Sequence, residues 1–293
     1  MVNLIKENGV QRCQIDLILP TINKFLPSDN IFDSLKRQTF TDFRLIIVHQ
    51  GRYDFDFNLL DGLNYKYMLI NEFGLSKGRN LALAQVEAPY ISFIDDDALL
   101  PKQYFENVYK LLILGISAVC GIIVDPISRR PISRAMKKCE GFFLTKSDFL
   151  YCVSSALSLS SEKVPKFNEQ LGLGAAFGSG EEGEYFFKLI DNRKVKFDPS
   201  LVVLHKNDLE KVKTMNFVTA FNRGLSYGKG HGAVYKIGML RYKSLFFIYL
   251  FLKSLFFSTG SAFVYLLKLE LKCAMRDVGR IIGKIIGFFV YST

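Results

Sequence analysis

Residues Ile91-Ser92-Phe93-Ile94 run without a break into Asp95-Asp96-Asp97. The first four suit a buried strand, and three adjacent carboxylates follow directly. A strand that ends this way sets anionic oxygens at the carboxyl edge of a sheet, where open α/β folds bind their ligands. Carboxylates so close together repel one another unless a cation or a set of donors compensates. A hard divalent ion such as Mn²⁺ or Mg²⁺ prefers oxygen ligands and bridges readily to phosphate. The plainer alternative is a solvated Asp-rich turn. An EF-hand loop is excluded, because the alternating acids, the glycine and the closing glutamate are missing.

The flanking pattern favours the ligand-binding edge. Residues 14–19 form an apolar run halted by Pro20-Thr21, and residues 43–48 form a second. Ile31, Phe32 and Leu35 mark a helical stretch between them. A third strand fits 67–70, a helix fits 77–86, and the acidic strand comes next. Strands alternating with helices predict a mostly parallel sheet flanked by helices. No Gly-rich fingerprint follows the first strand and no Walker lysine motif is present, which argues against a nicotinamide or flavin domain and against a P-loop.

An ordered series of motifs sits on this frame. It comprises Pro20-Thr21, Gly74-Leu75-Ser76-Lys77-Gly78-Arg79-Asn80, Phe93 to Asp97, Phe167 to Gly174, Gly178-Ser179-Gly180-Glu181-Glu182, Pro199 to His205, and Tyr227-Gly228-Lys229-Gly230-His231-Gly232. Across roughly residues 13–235 the chain resembles the family 2 glycosyltransferases, above all the branch that builds bacterial capsule, O-antigen and exopolysaccharide. The resemblance implies a GT-A nucleotide-sugar fold. It also implies inverting, metal-dependent transfer of a hexosyl group from a nucleotide-diphosphate donor to a hydroxyl of a lipid-linked or growing saccharide.

Roles follow by matching motifs. Asp97 and Asp95 would hold Mn²⁺ or Mg²⁺, with His205, at the end of the apolar run 201–204, as a further ligand or phosphate contact. Pro20, Thr21, Lys77, Arg79, Asp95 and Asp96 fall in donor-binding motifs, Asp96 turned aside because alternate strand residues face opposite ways. Gln50 stands where the family often places an acid against the nucleobase, and its amide can both donate and accept. Glu182 occupies the position of the base that takes the acceptor proton, with Glu181 as its orienting partner. The family usually shows Glu-Asp there, so the base carries one extra methylene. The alternative for both acids is stabilisation of a helix start.

Charge is segregated along the chain. Of 38 basic and 28 acidic residues, 14 basic and only 4 acidic ones lie in 205–293, so the whole net charge of +10 sits there. The same stretch carries the apolar run 244–267, interrupted by Lys253 and by Ser258 to Ser261. Arg280 and Lys284, beside Ile281, Ile282, Ile285 and Ile286, predict a last amphipathic helix. Basic and apolar together point to an anionic membrane surface and not to nucleic acid. A spanning segment is disfavoured, since a central lysine costs about 2.5–3.5 kcal/mol to insert. Packing onto the catalytic domain or onto a second subunit, as a homo-oligomer, is the alternative for these helices.

The expected division is therefore 1–238 as the GT-A catalytic domain and 239–293 as a helical membrane-association tail, peripheral or monotopic at the cytoplasmic face of the inner membrane. Five scattered cysteines without a Cys-x-x-Cys pair suit reduced thiols, and the polar first 14 residues lack an apolar signal core. Two other readings compete. A nucleotidyltransferase would show a Gly-rich basic loop after the first strand, where this chain has Pro20-Thr21-Ile22-Asn23. A non-catalytic saccharide-binding or scaffolding subunit would have no need of Asp95, Asp97 and Glu182 together.

Overall fold

The computed structural model describes residues 2–8, 12–22, 31–51, 55–132 and 140–292; Asn23, named above, and Cys139, one of the five cysteines, lie outside them. Its contacts divide the chain into two compact units, Met1–Phe167 with Tyr185–Lys206, and Asn168–Glu184 with Asn207–Thr293.

In the first unit, β1 (Val2–Asn8), β2 (Ile15–Thr21), α1 (Ile31–Lys36), β3 (Phe43–Gln50), β4 (Tyr65–Ile70), α2 (Leu75–Leu83), β5 (Tyr90–Phe93), β6 (Ala98–Leu99), α3 (Tyr104–Ile113), β7 (Ala118–Val124), β8 (Phe142–Phe143) and β9 (Leu157–Ser160) follow one another. Then α4 (Glu181–Ile190), which starts in the second unit, leads into β10 (Val195–His205). The described strands form one mixed sheet in the order β1-β4-β3-β2-β5-β9-β7-β10-β6, with β8 also on β10.

The central run β4-β3-β2-β5 is parallel. Every residue of β2 is buried, as an interior parallel strand requires. That includes Asp16, whose carboxylate takes Arg44 Nε at 2.8 Å and Nη2 at 3.0 Å, and the backbone N–H groups of Glu87 and Ala88. Its charge is fully compensated, so burial is tolerated. β9 lies antiparallel between β5 and β7.

Among the elements additional to the sequence expectation, β1 lies at the sheet edge. β1 pairs antiparallel with β4, ahead of the run at 14–19 that reads as the first strand. Ile5 to Asn8 are exposed, so no buried apolar run marks this edge strand.

The second unit contains α5 (Asp208–Thr214), α6 (Phe217–Tyr242), α7 (Phe246–Leu267) and α8 (Leu271–Val290). Asn216 caps α6 by accepting the Thr219 N–H at 2.8 Å, and Lys243 ends it in the left-handed region. The boundary expected at residue 238 falls inside this unbroken helix. α6 and α8 pack in parallel through two glycine ladders. Gly224, Gly228 and Gly232 abut the backbone of Arg276, Arg280 and Lys284, while Gly279, Gly283 and Gly287 abut Phe221, Leu225 and Lys229. A Cβ at any of the six would collide with the facing backbone, so the two helices meet at main-chain distance.

α8 has two unlike faces, as its periodicity predicts, and the basic one is turned inward: Arg276, Asp277 and Lys284 are buried. Lys284 Nζ donates to Ser254 O, Ser254 Oγ and Ser258 Oγ at 3.0, 2.5 and 2.7 Å. Arg276 donates to Asp277 at 2.9 Å. The glycine ladder draws this side of the helix inward, and the neighbouring side chains must then find partners inside.

Candidate functional site

The acidic strand end becomes a fan of three carboxylates, each aimed by a different element. Asp95 accepts from Arg79 Nη2 at 3.1 Å. Asp96 accepts from Thr21 Oγ1 at 2.5 Å, turned away as strand alternation predicts. Asp97 lies 2.8 Å from His205 Nε2. Sheet register accounts for this last pair, because β6 begins immediately after Asp97 and sets Ala98 opposite His205.

His205 Nδ1 faces the Lys206 carbonyl at 2.8 Å. A proton on Nδ1 bonded to a carbonyl leaves Nε2 as the ligand atom, the usual arrangement behind a metal-bound imidazole. As the ring stands, hydrogen bonding to Asp97 raises its pKa, against the opposing effect of burial. Two carboxylates and an imidazole are suitable donors for Mn²⁺ or Mg²⁺ in type. Among the described residues, however, no group of three or more His, Cys, Asp or Glu is spaced to hold a metal ion.

Behind the fan, the donor motifs interlock. Arg79 is 1% exposed, with its guanidinium over the Phe167 ring; it holds Asp95 and is not a surface cation. Asn80 grips the Phe167 backbone twice, accepting its N–H at 2.8 Å and donating to its carbonyl at 3.0 Å. Phe167 stacks on Tyr185 with ring centroids 3.9 Å apart. Sequence reading placed Asn80 and Phe167 in separate motifs without pairing them.

Gln50 is buried, and its Oε1 accepts the Gly74 N–H at 2.7 Å. A Cβ on Gly78 would lie 2.7 Å from Gln50 Nε2 and 3.0 Å from Pro20 Cβ. Pro20, Gln50 and the first turn of α2 are therefore packed as one piece. Lys77 is tied to Glu72 at 2.6 Å.

Glu181 and Glu182 open α4 in the second unit, immediately after Gly180 at φ +90°. Glu181 is buried and Glu182 half-buried. The turn ahead of them is fastened to α6: Gly178 N donates to Ser226 O at 3.1 Å and Ser179 Oγ to Tyr227 O at 2.7 Å. Tyr227 bonds Arg223, which Asp208 grips twice, at 3.0 and 2.7 Å. Burial raises the Tyr227 pKa; Arg223 opposes this, while the charges of Asp208, Glu181 and Glu182 add to it. The motif at 227–232, which carried a likeness but no role, is thus the seat of the Glu181-Glu182 turn.

The chain is similar to known glycosyltransferases in sequence and in fold. Residues 16–154 match the family model "Glycosyl transferase family 2", a span that includes the carboxylate fan and ends before Glu181. Glycosyltransferase GlyA of Streptococcus pneumoniae serotype 4 is 25% identical over 105 residues, 34% of this chain and 15% of that protein. The match therefore spans well under two thirds of the relative's length.

Among solved structures, S. aureus TarS aligns with a TM-score of 0.57 at 17% identity, covering 78% of this chain and 65% of that one. Its complex with UDP aligns at 0.54 and 17% identity over 93% and 90% of the two chains. Its complex with UDP-GlcNAc aligns at 0.53 and 17% identity over 78% and 66%. At that identity the likeness establishes the fold. Residues 16–154 form a family 2 glycosyltransferase domain, carried on a GT-A fold.

Proposed function

We propose that this protein is an inverting hexosyltransferase that uses a nucleotide-diphosphate sugar and a divalent cation. The observation that carries the reading is the fan at Asp95, Asp96 and Asp97. A solvated turn has no need of Arg79, Thr21 and His205, from three separate elements, to aim its carboxylates one by one. Asp97, Asp95 and His205 would hold Mn²⁺ or Mg²⁺, which supplies Lewis acidity to a departing diphosphate. Arg79 fixes Asp95, and the Pro20–Gln50–Gly78 packing shapes the donor floor.

Glu182 serves as base and takes the proton of the acceptor hydroxyl, whose oxygen attacks the anomeric carbon from the face opposite the leaving group and inverts it. Half-burial leaves Glu182 the more accessible of the two acids, with Glu181 as its buried partner. The acceptor we favour is a lipid-linked or growing saccharide of a bacterial surface polysaccharide, such as capsule or O-antigen. The setting is the cytoplasmic face of the inner membrane. α7 supports that setting, being long and apolar enough to cross a bilayer while little of it is buried.

The donor complexes of the S. aureus neighbour make UDP-GlcNAc the first probe. A thermal-shift screen of UDP-, dTDP- and other nucleotide sugars, with and without Mn²⁺, tests the reading. The true donor at a hundred times its Kd should add about 2.7 kcal/mol of stability, and in the presence of Mn²⁺ the protein should release nucleoside diphosphate from it. A screen in which no nucleotide sugar raises the melting temperature and none is cleaved would refute it.

A further inference from the structure

The second unit is built inside out. On α8, Leu271, Met275, Val278, Ile282, Ile285 and Phe289 recur at alternating steps of four and three, so they form one continuous stripe along the helix. That stripe points outward, its members between 36% and 70% exposed. The opposite side of the same helix is buried, and it carries the glycine ladder together with Arg276, Asp277 and Lys284.

α7 extends the outer surface with Phe246, Tyr249, Leu252, Phe256, Phe263 and Leu267, all exposed. Twelve large apolar side chains exposed along two successive helices are more than scattered surface residues account for. Water drives such stripes inward and polar groups outward; the reverse order suits a surface that meets hydrocarbon. Small-residue ladders that bring helix backbones together are likewise the packing mode favoured where lipid surrounds the helices.

We propose that the outer faces of α7 and α8 form a lipid-contact surface lying in the plane of an anionic bilayer at the boundary of acyl chains and headgroups, held mainly by hydrocarbon, with the exposed Lys253 reaching to the headgroups. The inference deepens the membrane setting proposed above. It assigns the contact to named faces and leaves the buried Arg276 and Lys284 outside it.

Charge selects lipid over a second copy of the chain. From residue 240 onward the exposed charged residues are Arg241, Lys243, Lys253 and Lys268, all positive, whereas Asp277 is buried and Glu270 half-buried. Two copies meeting through these faces would bring like charges together. An anionic headgroup layer would neutralise them.

Flotation of the full-length protein tests this without any nucleotide sugar, so its outcome stands apart from that of the transferase reading. The probes are vesicles of phosphatidylcholine with and without one third phosphatidylglycerol. The protein should float with the anionic vesicles, and most of it should stay bound in 1 M NaCl, where surface charge is screened to about 3 Å. Ile282→Glu with Ile285→Glu should lower partitioning at least tenfold with the helical circular dichroism intact. Lys284→Gln should float like the wild type.

Release by salt alone, or loss of flotation in Lys284→Gln with the fold retained, would overturn the proposal. So would absence of flotation together with a detergent-free dimer, measured by light scattering, that the double variant dissociates; that result would assign the face to a second copy.

Discussion

Gly180→Ala is the sharpest test of how the base is held. Gly180 sits at φ +90°, and a Cβ built there would lie 2.5 Å from Gly230 O and 2.7 Å from Val234 Cγ2. The left-handed backbone alone costs an alanine about 1–2 kcal/mol. A carbon normally approaches a carbonyl oxygen no closer than about 3.3 Å, so the turn must retreat from α6 by about 0.8 Å. Glu181 and Glu182 are the next residues in the chain and must move with it. A misplacement near 1 Å costs on the order of 10²-fold in rate. We expect Gly180→Ala to lower turnover on that scale, with donor affinity by calorimetry changed less than threefold.

The control is Gly62→Ala. It shares the positive φ, +78°, but a Cβ there meets nothing within 4 Å. It should lose stability and keep its turnover per folded molecule. Near-normal turnover in Gly180→Ala, measured beside an equal loss of melting temperature in Gly62→Ala, would mean that the turn does not set the base.

Three further variants test the remaining roles. Asp97→Asn should abolish turnover and remove the Mn²⁺-dependent part of nucleotide binding while leaving the fold intact; near-normal turnover would reduce the fan to a turn. Glu182→Gln should slow turnover by on the order of 10²-fold with donor affinity unchanged, and Glu181→Gln should be milder; the reverse order would exchange the two assignments. His231 on α6 has its pKa lowered from 6.5 to about 3, first by burial and then by Arg280 and Lys284 on α8. The unfolded chain therefore takes up a proton below pH 6.5 that the folded chain refuses, and stability should fall as pH drops from about 6.5 toward 3, by about 2 kcal/mol at pH 5. Denaturation of wild type and His231→Gln at pH 7.5 and pH 5 should show a shallower pH dependence in the variant, and equal slopes would dismiss the histidine.

The centre of the sheet was legible because both faces of β2 and β3 are covered, which leaves unbroken apolar runs in the sequence. Two of the elements that escaped, β1 and β9, lack such runs. β1 is an edge strand with an exposed Ile5-Lys6-Glu7-Asn8 end. β9 reads Leu-Ser-Leu-Ser, and its buried Ser158 is satisfied by Ser92 across the sheet at 2.8 Å. Pairing supplies what composition does not, and pairing partners are remote in sequence. The same limit applies within the site. The acids at 95–97 were visible, but Asp97 meets His205 only through the register of β6 on β10. Arg79, read as a nucleotide contact, is buried and holds Asp95, a pairing that its place in the sequence does not announce.

α8 shows a different limit. Its periodicity correctly predicts two unlike faces, and periodicity says nothing about which face looks outward. In a water-soluble domain the default is apolar side in, and α8 departs from that default. The information that reverses it was present as Gly279, Gly283 and Gly287, which lie at helical spacing on the basic side, and as Gly224, Gly228 and Gly232 on α6. A glycine costs a helix about 1 kcal/mol relative to alanine, so six in two matched ladders are hard to explain on a solvated face. They are accounted for when each lets a facing backbone approach. A side bearing such a ladder must be the packed side, and charged residues beside it then need internal partners, as Arg276 and Lys284 have. Matched glycine ladders therefore outrank amphipathicity in deciding which way a helix like α8 faces, and that ordering exposes its isoleucines.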